Sequence, residues 1–138
     1  LSPNGTSQGV SDSDPPSVYI PAARALDRIG IAFLELRELG PDGTFGRSDQ
    51  PKVSPLVRKA FGRPLVLNQD FSAASAAAVV ANGPADAIAF GRPFIANPDL
   101  PIRIERGAAW SADDPATWYT QGTEGYVDYS PLAEAAAA

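Results

Sequence analysis

Residues 86–101, DAIAFGRPFIANPDLP, carry the residue types best suited to gripping an anion. Gly91 lets backbone amides approach a ligand closely, and Arg92 offers a permanently charged, forked donor. A glycine and an arginine at the carboxyl end of a buried strand, with a helix amino terminus just beyond, make a phosphate cradle. The pattern predicts the strand at Asp86 to Phe90 and the helix start at Asn97-Pro98. A lone Gly-Arg is more often a loop with a surface ion pair. The surrounding sixteen residues turn that preference around.

Other chemistries are removed by composition. The chain of 138 residues has no Cys, which excludes disulfides, thiolate catalysis and cysteine-zinc sites. It has no His, which removes imidazole bases, the serine triad and most transition-metal sites. The formal net charge of -5, without a basic stripe, disfavours nucleic acid and anionic membranes as partners. No apolar run is long enough to span a bilayer and no signal-like start is present, so a cytoplasmic setting is expected. There is no Met, and Leu1 to Gly5 reads as a strand end running into a loop. A piece of a longer protein is therefore expected.

The elements that must position Gly91 and Arg92 alternate between strand and helix. Pro15-Pro16 close a polar loop, and Pro21 to Ile29 is predicted as a helix with Ala22, Ala25, Leu26 and Ile29 facing inward. Gly30 stops it. Ile31 to Leu36 is an apolar run suited to a parallel strand covered on both faces. A long loop, Gly40 to Lys52, follows. Ser54-Pro55 then supplies an N-cap and a first-turn proline, and Gly62 ends that helix. Pro64 to Asn68 is the next strand. Ser72 caps an alanine-rich helix through Ala81, stopped by Asn82-Gly83 and close-packed on the sheet through its small side chains. After the strand at Asp86 to Phe90, Asn97-Pro98 and Asp114-Pro115 each signal a short helix. The alanine run at 133–138 has little to pack against.

Repeated strand-helix units imply a parallel sheet. Three strands in an open sheet leave apolar edges unpaired, whereas a barrel closes with about eight. The α/β pattern therefore predicts the carboxyl-terminal part of a (β/α)8 TIM barrel, with residues 1–138 belonging to one domain.

Six blocks carry a family resemblance: LSPNG at 1–5, FLELRE at 33–38, GTFGRSDQPK at 43–52, PLVLNQDF at 64–71, AFGRPFIANPDLP at 89–101 and TWYTQGTEGYVDY at 117–129. In this order and spacing the chain resembles the old yellow enzyme family of FMN-dependent ene-reductases. The resemblance implies that Leu1 ends barrel strand five, and that the three predicted strands are six, seven and eight. It implies that Gly91 and Arg92 bind the FMN phosphate, joined by the backbone amides of Gln69 and Asp70. Some relatives have glycine-like residues at 69 and 70, so the Asp70 carboxylate must point away from the phosphate. Trp118 and Tyr119 match a segment closing over flavin and substrate. Phe45 matches an aromatic substrate lid on the loop after strand six, and Trp118 supports Tyr119 and Phe45. Without the resemblance all three aromatics would be read as packing residues.

The implied activity is NADPH-driven reduction of activated alkenes, such as enones, maleimides and nitroalkenes. In that family hydride passes from flavin to the β-carbon, and a tyrosine protonates the α-carbon. The resemblance places that tyrosine, the substrate-orienting residues and the strand-five arginine upstream, leaving no catalytic residue and no metal ligand in this segment. The expected partners are the upstream portion of the same barrel and a small alkene. Alone, the segment is expected to fold poorly and bind FMN weakly. Two other readings remain: a phosphosugar barrel with a similar phosphate grip, and a phosphate-binding half-barrel without catalysis of its own.

Overall fold

The computed structural model describes residues 1–5, 11–44 and 46–132. The chain divides into two compact units, Leu1–Ala89 and Phe90–Ala138.

The first unit is built on three short strands: β1 (Leu34–Arg37), β2 (Leu65–Asn68) and β3 (Ala87–Ala89). They form one parallel sheet in sequence order, with Leu34 opposite Leu65 and Leu67 opposite Ile88. Because side chains alternate along a strand, Leu34, Leu36, Leu65 and Leu67 share one face. That face is buried against Ala23, Val53, Val57, Phe61 and Ala85. Burial on both faces, predicted for the run at 31–36, is not what the unit shows. β1 begins at Leu34, Phe33 is 54% exposed, and the alternate face presents Glu35 and Arg37. The apolar run crosses from loop into strand, and its second half alternates polar with apolar.

Leu1 continues the sheet pattern beyond β1. Its amino group donates to the Glu35 carbonyl at 2.7 Å, and the Arg37 N–H donates to the Leu1 carbonyl at 2.8 Å. These two bonds flank Leu36 as in a parallel pair. The buried Asn4 side chain holds the following turn, exchanging two hydrogen bonds with the Leu39 backbone at 2.8 and 2.9 Å.

Helix α1 (Pro15–Ile29) starts six residues before the predicted Pro21. Pro15 and Pro16 sit in its first turn, where missing N–H groups cost little. The run passes through Pro21 because Tyr19, Ala23 and Leu26 form a stripe that meets the core. Ile29, predicted to face inward, is 73% exposed. Gly30 ends the helix as predicted, at φ 84° with its N–H on the Leu26 and Asp27 carbonyls.

Helix α2 (Ser54–Ala60) is capped differently from its sequence signal. The Ser54 side chain makes no cap bond; the buried Glu38 carboxylate accepts the Val53 and Ser54 N–H groups at 2.5 and 3.0 Å. The helix ends at Ala60, with extended Phe61 rather than Gly62 as its terminal residue. Phe61 is drawn into the core, where it is fully buried. Helix α3 (Ala73–Ala81) matches its prediction, with a reciprocal Ser72–Ser75 capping box and Asn82 at its end. Only Ala76 of its alanines is buried, so small-residue packing is confined to one position.

The second unit has no strand among its described residues. Helix α4 (Arg92–Ala96) begins immediately at Gly91, and Asn97 closes it rather than starting a helix. Helix α5 (Leu100–Arg106) follows from Asp99. Asp114-Pro115 opens a turn at 115–119 rather than a helix; the Asp114 side chain and carbonyl take the Ala116 and Thr117 N–H groups.

Candidate functional site

Two sets of residues lie just beyond the carboxyl ends of the strands, where open α/β sheets and barrels normally place ligands. The first follows β1 and β2. Asn68, the last residue of β2, donates to Glu35 Oε1 at 2.8 Å across the sheet. Arg37, the last residue of β1, donates from Nε to Gln69 Oε1 at 2.8 Å. Gln69 Nε2 donates to Asp70 Oδ2 at 2.7 Å. The Asp70 carboxylate also accepts the Thr44 N–H at 3.2 Å and the Thr44 hydroxyl at 2.5 Å. A polar chain thus joins the turn after β2 to the loop after β1.

The backbone of that turn is unusual. Gln69 and Asp70 both have positive φ, 104° and 55°. Non-glycine residues seldom adopt these values, and each costs on the order of 1–3 kcal/mol. Asp tolerates the left-handed region better than Gln, whose side chain is held between Arg37 and Asp70. The facing loop demands its glycines. A Cβ on Gly43 would lie 2.2 Å from the Gly46 carbonyl oxygen, and Gly46 has φ 95°. Phe45, predicted as a substrate lid, lies outside the described residues.

The second set follows β3. Gly91 is the N-cap of α4 at φ −93°, and half-buried Arg92 is its first helical residue. Neither backbone angle nor packing requires a glycine here: no described atom lies within 4 Å of where a Cβ would stand. Phe90 meets Trp110 edge to face, with ring centroids 5.7 Å apart.

Buried polar groups fix the rest of this unit. Asn97 is fully buried; it donates to the Pro93 and Ser111 carbonyls at 2.8 and 3.1 Å and accepts the Ser111 N–H at 2.7 Å. Arg103 donates to Asp99 at 2.7 Å and to the Ala109 and Ser130 carbonyls at 2.9 and 3.0 Å. Asp99 also accepts the Leu132 N–H at 2.6 Å. The Arg103 hydrogen bond, then that N–H, hold the Asp99 carboxyl below its ordinary value of 3.8. In the first unit Asp86 is lowered in the same way, by the Leu65 N–H and then Arg58. The residues around 115–119 are therefore stapled on both sides. Within that turn Trp118 is half-buried, whereas Tyr119 is 89% exposed and is not a packing residue of this chain.

The sequence pointed to Gln69, Asp70, Gly91, Arg92, Trp118 and Tyr119. The structure brings the first two together with Arg37 and Thr44, and sets Gly91 and Arg92 at the start of α4. Asn4, Glu38, Thr44 and Arg103 were not singled out, and Asn97 was read only as a helix start. Their partners lie up to 35 residues away, so no local pattern announces them.

A parallel α/β sheet with polar loops at the carboxyl ends of its strands is a framework on which many α/β proteins bind ligands. Residues 17–110 match the family described as NADH:flavin oxidoreductase / NADH oxidase, and the chain belongs to this family, which includes the old yellow enzymes. The old yellow enzyme homologue from Zymomonas mobilis is 56% identical, with a TM-score of 0.91 over 94% of this chain and 37% of that one. A morphinone reductase in complex with tetrahydroNAD is 37% identical, with a TM-score of 0.83 over 97% of this chain and 35% of that one. A 12-oxophytodienoate reductase-like protein of Solanum lycopersicum is 34% identical over 93% of this chain and 34% of its own length. The chain thus spans little more than a third of these relatives.

Proposed function

We propose that residues 1–138 form the flavin-phosphate side and part of the substrate rim of an FMN-dependent ene-reductase. On this reading Leu1 ends strand five of a (β/α)8 barrel, and β1, β2 and β3 are strands six, seven and eight. An upstream portion, in the same chain or a separate one, completes the barrel. FMN when bound supplies hydride transfer, between NADPH as reductant and an activated alkene such as an enone, maleimide or nitroalkene. The observation that carries the reading is Gly91 capping α4 with Arg92 as its first residue, inside the AFGRPF block of a flavin oxidoreductase family member.

Arg92 grips the phosphate with a forked, charge-assisted contact, and Gly91 lets the backbone come close. The backbone amides of Gln69 and Asp70 add donors, while the Asp70 carboxylate is turned to Thr44. Tyr119 and Phe45 shape the substrate side, and Trp118 backs them next to the flavin. Small replacements of Tyr119 or Phe45 alter the relative rates of bulky and small enones while FMN stays bound.

The test is FMN binding by the completed barrel. Arg92→Ala weakens it by on the order of 2–4 kcal/mol, as for a buried charged pair losing one partner. Arg92→Lys recovers only part of the loss, because lysine lacks the fork. An FMN dissociation constant unchanged in the alanine variant would remove Arg92 from the phosphate site.

A further inference from the structure

Glycine-like residues at 69 and 70 would meet the positive φ angles of the turn after β2 without strain. This chain instead places Gln and Asp there, at φ 104° and 55°. What the Asp side chain gains is visible: both carboxylate oxygens engage Thr44, one through the N–H and one through the hydroxyl. Gln69 braces the same carboxylate from its own side and is itself held by Arg37. The loop after β1 lies beside this group: a Cβ on Gly43 would stand 3.4 Å from Asp70 Oδ2, an ordinary contact distance. The loop also folds on itself, with the Gly43 and Ser48 N–H groups both on the Gly40 carbonyl. It is thus a compact turn, held from outside at its start by Asn4 on Leu39, near its end by Gln50 donating to the Asp12 carbonyl at 2.8 Å, and in its middle by the Asp70 side chain.

We propose that Asp70 is a positioning residue whose carboxylate latches the loop after β1, through Thr44, to the turn after β2. Its consequence for catalysis rests on the ene-reductase reading, under which that loop borders the substrate and the turn borders the flavin phosphate. Substrate discrimination then depends on a side chain that touches neither ligand. The backbone of the turn and the carboxylate have separable duties: φ sets the turn, and the carboxylate sets the loop.

The two duties can be separated by substitution in the completed barrel. Asp70→Gly suits the left-handed backbone and deletes only the carboxylate, so the turn survives. Thr44→Val keeps shape and removes the hydroxyl, and Thr44→Ser restores it. Hydrogen exchange at the amides of residues 43, 44 and 46–48 reads the latch directly and needs no flavin. It should quicken by about tenfold or more in Asp70→Gly, the scale of losing hydrogen bonds to a charged group. Thr44→Val should show a smaller rise and Thr44→Ser should match the parent. With FMN bound, the ratio of kcat/KM for a small and a bulky enone should move about threefold or more in Asp70→Gly, through KM more than kcat; Thr44→Val, which leaves the phosphate-binding backbone untouched, should move the ratio in the same direction while its FMN dissociation constant stays within about twofold. Unchanged exchange in Asp70→Gly, or Thr44→Ser behaving like Thr44→Val, overturns the latch. Quickened exchange with an unmoved substrate ratio overturns its role in discrimination. A parent barrel that binds no FMN would overturn the ene-reductase reading alone, because the exchange measurement stands without it.

Discussion

The two units are held together by opposite means. Leu1–Ala89 closes over an apolar cluster in which Phe61, Leu36, Leu65 and Val57 are fully buried. Phe90–Ala138 has no sheet among its described residues and relies on Asn97, Asp99 and Arg103, whose side chains tie backbone segments up to 33 residues apart. A sheet shares its backbone hydrogen bonds among strands and leaves one face free for apolar packing. A run of short helices and turns leaves many backbone groups unpaired, and buried side chains must satisfy them instead. The difference teaches where each unit is vulnerable: the first to lost volume, the second to lost hydrogen bonds.

The sharpest break of that comparison is Phe61→Ala. Removing a fully buried ring should cost about 3–5 kcal/mol of stability, measured by denaturant unfolding of the completed barrel. Segment-resolved hydrogen exchange should place the loss in residues 1–89 first. A loss below about 1 kcal/mol would mean that the apolar cluster is not what holds this unit.

Asn97→Ala is the counterpart in the second unit. It strands the Ser111 N–H and two carbonyls, and should cost about 2–3 kcal/mol, felt at residues 91–112. Asn97→Leu, apolar and larger, should not recover it. Recovery by leucine would show that volume rather than hydrogen bonding matters there, and the contrast between units would fall.

Capping offers a smaller and more local test. Ser72→Ala removes the side chain that accepts the Ser75 N–H and should cost about 1 kcal/mol, confined to α3. Ser54→Ala should cost less, since Glu38 rather than Ser54 receives the first N–H groups of α2. Equal losses in the two variants would contradict the Glu38 cap.

Acid should give the smallest effect. Asp99 and Asp86 have lowered pKa values when folded, so their stabilisation is complete above the ordinary carboxylate value of 3.8. It fades as pH falls below that value through the lowered folded one. Asp99→Asn should flatten the acid dependence of protection in the second unit, and Asp86→Asn should do so more weakly in the first, where the carboxylate is 54% exposed. An Asp99→Asn profile that parallels the parent below about pH 4 would remove Asp99 as the acid-sensitive staple.

Strand and helix alternation, the Gly30 and Asn82 stops and the Ser72 cap could all be read along the chain, because each depends on residues within one or two turns. Gly91 and Arg92 stood out for the same reason: a strand end, a glycine and a forked cation are neighbours in sequence. Helix starts misled where a proline can occupy either a first turn or an interior. Pro21 looked like a beginning, yet the stripe of Tyr19, Ala23 and Leu26 carried α1 through it. Tertiary structure alone decided the Glu38 cap, the Asn4 clasp on Leu39, the Asn97 and Arg103 staples and the Thr44–Asp70 latch. Each joins a polar side chain to a group more than a dozen residues away, and local sequence carries no record of which distant groups folding leaves in need of a partner.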